Sequence, residues 1–143
     1  MARRTSPFAL ALAVSVSLGL PGCESAVSGN DGDRLKQQDW VAETVAGSPV
    51  VKPGHVTLSF AEAQISGRAG CNRYFGPAEY GGGAIKVGQL GLTKMACPEP
   101  GLMAQESAYV NALQTAERYS FAADKLIITT GTGDLVYRAV PRQ

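Results

Sequence analysis

Two short stretches, each carrying a cysteine, constrain this chain more than anything else in it. The first is Ser66-Gly67-Arg68-Ala69-Gly70-Cys71-Asn72-Arg73-Tyr74-Phe75-Gly76, and the second is Leu92-Thr93-Lys94-Met95-Ala96-Cys97-Pro98. A bond between Cys71 and Cys97 would close a loop of roughly 25 residues and stabilise the fold by about 3–4 kcal/mol through the unfolded state. Gly67, Gly70 and Gly76 mark places where the backbone bends or lies close against a neighbour. Two such stretches tied together would pin the middle of a small sheet. Neither contains a recognisable catalytic group.

The third cysteine, Cys23, ends an N-terminal leader. Arg3 and Arg4 are followed by an apolar run from Phe8 to Leu20 and then by small residues. That is a secretory leader, too short for a spanning helix. The residues after Arg3-Arg4 fit twin-arginine export poorly, so ordinary secretion is expected. Leu20-Pro21-Gly22-Cys23 resembles the bacterial lipobox, with an atypical proline at −2. Cysteine counting points the same way. Three cysteines in an exported protein leave one odd thiol, and lipidation of Cys23 leaves an even pair for an oxidising compartment. The alternative is a soluble secreted protein cleaved nearby. Glu24, rather than an aspartate, follows the cysteine, which favours the outer membrane. Removing residues 1–22 takes away Arg3 and Arg4 and no acid, turning the net charge from +1 to −1. No basic run remains to suggest nucleic-acid binding or a polybasic membrane patch.

Residues 23–38 are almost devoid of apolar side chains and read as a lipidated, flexible tether spanning roughly 20 Å. One domain is expected over residues 39–140, beginning near Trp40. Strands are predicted at Asp39–Val45, Val56–Phe60, Gln64–Ala69, Asn72–Ala78, Ala84–Val87 and Leu90–Lys94, then at Arg118–Phe121, Lys125–Thr130 and Asp134–Val140. One helix is predicted over Leu102–Ala116, with Leu102, Tyr109, Leu113 and Ala116 on its apolar stripe and Met103 and Val110 beside it. Many short antiparallel strands with one main helix make an α+β fold, a small curved or barrel-like sheet with the helix packed on it.

The chain offers little chemistry. His55 is the only histidine, so no common zinc site can be assembled, and no metal or cofactor is expected. No nucleophile elbow, P-loop or zincin helix is present. Glu62 with Glu79, or Asp124 with Asp134, could pair as acid and base but read as solvated charges. Glu106 differs. It falls within the apolar stripe, where a charge must be paired or hydrogen-bonded, and is expected to meet Asn72, Arg73, Lys94 or backbone amides near the cysteines. Asn72 and Arg73 are also candidates for a polar contact face. Tyr74, Phe75 and Tyr80 are expected to cluster beside the Gly81-Gly82-Gly83 turn as core and rim.

The order of these motifs resembles the META/HslJ-like domain family. It is carried by Gly-Cys-Asn-Arg-Tyr-Phe-Gly, then Thr-Lys-Met-Ala-Cys-Pro, then the Met-x-x-Glu that opens the helix. Trp40, Asp124-Lys125-Leu126 and Asp134-Leu135-Val136-Tyr137 extend the resemblance from about Gln38 to Ala139. Leu92 stands where the family usually has serine, and Ala42 where a leucine commonly follows the tryptophan. The resemblance implies the same architecture and a non-enzymatic role in envelope tolerance of heat or antibiotics, through contact with an unidentified envelope component. Two other functions remain open. One is a carrier of a lipid or hydrophobic peptide. The other is a protease inhibitor presenting Gly81–Ala84 or Lys94–Pro98.

Overall fold

The structure, a computed structural model, describes residues 31–142. The leader, Cys23 and the first part of the expected tether lie outside them. The chain runs from α1 (Asp31–Gln37) into β1 (Gln38–Val45), the short β2 (Ser48–Pro49), β3 (Thr57–Ala61) and β4 (Gln64–Arg68). Next come β5 (Arg73–Gly81), β6 (Ala84–Val87), the short β7 (Gly91–Leu92) and α2 (Leu102–Gln114). Then β8 (Ala116–Ala122), β9 (Lys125–Thr130) and β10 (Leu135–Pro141) complete it.

Alternation makes these segments strands. In β5, Tyr74, Gly76 and Ala78 are buried, while Arg73, Phe75, Pro77 and Glu79 are exposed. The order β1-β3-β4-β5-β6-β8-β9-β10 is antiparallel throughout, and β10 returns to pair with β1 from Gln38↔Pro141 to Thr44↔Val136. The sheet is therefore a closed eight-stranded barrel, the more definite of the two forms expected. Closure removes the free edges that an open sheet would expose. The ring is thinnest between β6 and β8, where the ladder holds one residue pair, Ala84↔Arg118. The β5–β6 turn has positive φ at Gly82 (58°) and Gly83 (81°), conformations that suit glycine.

Trp40, Leu58, Phe60, Ile65, Tyr74, Leu126, Ile128 and Tyr137 fill the interior. Helix α2 buries Leu102, Gln105, Glu106, Tyr109, Ala112 and Leu113, spaced as one face of a helix. It ends at Gln114, two residues earlier than expected, because Ala116 already pairs with Thr130 in the β8–β9 ladder.

Several expectations need correction. The folded part begins before residue 39, because Asp31–Gln37 of the expected tether form α1. Its one apolar residue, Leu35, is fully buried, and Trp40 donates its indole N–H to the Leu35 carbonyl at 3.1 Å. Arg34 stacks its guanidinium 4.1 Å above the Phe121 ring and donates to the Ala123 carbonyl. Met103 lies outside the packed face and is half exposed. The aromatic trio also divides. Tyr74 points into the barrel, Phe75 points out, and Tyr80 packs edge-on to Phe60 at 5.0 Å. The expected strand Leu90–Lys94 shrinks to Gly91–Leu92, because the residues after it turn away to meet Asn72.

Candidate functional site

The two cysteine-bearing stretches come together at the entry to α2. Cys71 follows β4 and Cys97 precedes the helix, and the structure joins them with Cα atoms 5.7 Å apart. Asn72, buried beside the bridge, uses all its hydrogen-bonding capacity. Its side-chain oxygen accepts from the Met95 amide at 2.7 Å and the Thr93 hydroxyl at 2.9 Å. Its side-chain amide donates to the Met95 carbonyl at 3.0 Å and to Glu106 Oε1 at 2.8 Å. Its backbone N–H donates to Glu106 Oε2 at 3.0 Å. One asparagine thus fastens the Thr93–Met95 loop and the helix to the start of β5.

Glu106 is 7% exposed, and among the described residues no lysine or arginine lies within ion-pair distance of it. Its partner is Asn72, through side chain and backbone; the salt-bridge contacts place neither Arg73 nor Lys94 beside it. Arg73 and Lys94 project into solvent, and Arg73 is fixed by its backbone, whose N–H donates to Thr93 Oγ1 at 3.0 Å. Gly70 leaves room for this junction, since a Cβ there would lie 3.3 Å from Leu102 and 3.4 Å from Glu106 Oε2.

Below the junction Tyr109 reaches from α2 into the barrel. Tyr137 donates to Tyr109 at 3.1 Å, the Tyr109 and Tyr74 hydroxyls meet at 2.9 Å, and Tyr74 donates to the Thr57 carbonyl at 2.8 Å. Each hydroxyl proton is used once if the chain runs Tyr137, Tyr109, Tyr74, Thr57. The sequence marked Tyr109 only as an apolar stripe residue; its neighbours come from strands distant in the chain. Burial pushes all three phenols well above their ordinary value of 10.0. Because the folded values are raised, the trio's contribution to stability is intact below that pH. It is lost as pH climbs from there towards the raised folded values, since only the unfolded chain ionises readily. A titration of phenolate absorbance should show at least three of the five tyrosines ionising only as circular dichroism reports unfolding. Smooth ionisation of all five with the fold intact would count against a closed trio.

The candidate acids and bases are not brought together among the described residues. The His55 imidazole makes no hydrogen bond to a hydroxyl or carboxylate among the described residues, and Glu62 is paired with Lys36 at 2.6 Å. Glu79 lies opposite Lys86 in the β5–β6 register. A broad open cleft at the β6–β8 seam, lined by Glu79, Tyr80, Ile85, Lys86 and Glu117, offers no such pair either.

Comparison with known proteins places this architecture. The chain is similar to the heat shock protein HslJ of Escherichia coli (strain K12), 27% identical over 131 residues that cover 87% of this chain and 91% of the relative. A protein from Burkholderia xenovorans solved by NMR superimposes with a TM-score of 0.61 at 26% identity, covering 97% of this chain and 99% of its own. A second NMR structure gives a TM-score of 0.62 at 28% identity over 75% of this chain and 92% of its own. Residues 33–142 match the META domain, and the match spans the barrel, both cysteine-bearing stretches and α1 from its third residue on. The chain belongs to the META domain family.

Proposed function

We propose that this protein is a non-enzymatic binding domain, held at the outer membrane by a lipid on Cys23, that supports envelope tolerance of heat or antibiotics. The observation that carries the binding role is three exposed apolar side chains on α2 and on loops hydrogen-bonded to it or to the cysteine junction. Val51, Met95 and Met103 are each about half exposed. Met103 Sδ accepts the Cys97 amide at 3.4 Å, Met95 is fixed through Asn72, and Val51 is tied to α2 by its amide donating to Gln105. Exposed methionines on a fixed frame suit adaptable apolar contact with a protein partner. The similarity to a protein named for heat shock supports the stress context. The packed interior argues against the carrier reading, since Trp40, Tyr74, Tyr109 and Tyr137 occupy the space a lipid tail would need. No described helix is long and apolar enough to cross a membrane.

A deletion strain challenged with heat and envelope-directed antibiotics tests the proposal. Sensitivity is expected, rescued by the wild-type gene but not by Cys23→Ser or by the folded double variant Met95→Lys/Met103→Lys. Full rescue by the double variant would sink the contact surface, and no sensitivity would sink the stress role.

A further inference from the structure

We propose that Cys71, Cys97 and Glu106 form a zinc site once the bridge between the two cysteines is reduced. The two sulfurs and a Glu106 oxygen lie within 4.8 Å of one another, and Cys97 Sγ is 4.0 Å from Glu106 Oε2. Glu106 is more than nine-tenths buried with no cation beside it. Its oxygens each accept one bond from Asn72, which leaves a further lone pair on Oε2, the oxygen 4.0 Å from Cys97 Sγ. The Glu106 carboxyl thus sits against a sulfur pair with no lysine or arginine within ion-pair distance among the described residues. The same two N–H groups fix its orientation, as an outer partner orients a metal ligand.

The chemistry balances. A dithiol reductant transfers two electrons to the Cys71–Cys97 bond and leaves as its own disulfide, giving two thiols. Zinc then displaces both thiol protons to solvent and is held by two thiolates and the carboxylate, with water as fourth ligand. Zinc–sulfur bonds of about 2.3 Å at tetrahedral angles put the two sulfurs roughly 3.8 Å apart. With the Cα atoms 5.7 Å apart, side-chain rotation can supply that separation. The mixed donor set favours zinc over copper(I), which prefers sulfur alone, and over magnesium or calcium, which prefer oxygen alone. The oxidised and zinc-loaded forms are mutually exclusive, because the sulfur electron pairs that ligate the metal form the disulfide in its absence.

The test uses the full chain carrying Cys23→Ser, so that Cys71 and Cys97 are the only thiols. The chain is reduced with a phosphine and titrated with zinc against a chromophoric competitor, and with cobalt(II) to read thiolate-to-metal charge transfer. One zinc per reduced chain, none per oxidised chain and a thiolate–cobalt band are expected. Glu106→Gln should weaken zinc on the order of tenfold or more. Absence of zinc binding by the reduced chain overturns the site, as does affinity unchanged by Glu106→Gln. Loss of the fold on reduction, followed by circular dichroism, overturns it equally, since nothing would then hold the ligands together.

Discussion

Replacing Gly67 with alanine is expected to destabilise the protein by about 4 kcal/mol, a large share of a typical domain's 5–15 kcal/mol. Gly67 occupies an inward position two residues after Ile65 on β4, and a Cβ there would fall 2.1 Å from the Thr57 carbonyl oxygen and 2.9 Å from the Tyr74 hydroxyl. The carbonyl cannot simply withdraw. It is the terminal acceptor for the three buried tyrosines, and Thr57 Oγ1 also accepts the Arg68 amide at 3.0 Å. Moving β3 therefore leaves buried hydroxyls without partners on top of the steric strain. Denaturant melts should show the loss as a lower midpoint with a similar slope. A shift under about 1 kcal/mol would mean the strands part easily there.

The second large effect is expected from Asn72→Asp, a change of one group with almost no change in volume. The new carboxylate would face Glu106 where Asn72 now donates at 2.8 Å. Two buried carboxylates with no cation near should cost about 3–5 kcal/mol at neutral pH. Acid should recover much of that loss relative to wild type. As pH falls below neutral the pair takes up one proton, which one carboxyl can donate to the other, restoring the contact. Thermal melts of both proteins across that range would decide the matter. A deficit that stays constant with pH would assign the loss to something other than paired charges.

How much the sequence disclosed depended on how locally each feature is encoded. Lys125–Thr130 and Ala84–Val87 were legible to the residue, because alternation and flanking glycines are local signals. Glu106 was legible as an anomaly, a charge on an apolar stripe, and the stripe placed it near the cysteines. Its partner could be narrowed only to a short group, because Asn72 lies 34 residues away and only the folded register chooses between it and Arg73. Helix α1 was missed for the opposite reason. Seven residues with one leucine carry no periodicity, and the helix exists because Leu35, Arg34 and the Trp40 indole find tertiary partners. A signal was present in the charge order, with Asp31 and Asp33 first and Arg34 and Lys36 last, as a helix dipole prefers. The division of Tyr74 from Phe75 was available from strand parity once β5 was recognised.

The pairing of β1 with β10 sets when this protein can finish folding. Gln38 and Pro141 are ladder partners although they are almost as far apart in sequence as the described chain permits. The hairpins β3–β4, β5–β6 and β8–β9 join neighbours and can form early, but the ring cannot shut until the last strand is available. Until then both β1 and β9 carry an open edge. A chain arrested before Leu135 would therefore be a sticky open sheet, whatever the quality of its core. The start of β1 and the end of β10 are therefore neighbours in space. Arg142, just past β10, accordingly reaches back to the Lys36 carbonyl in α1, so the last strand also fastens the first helix.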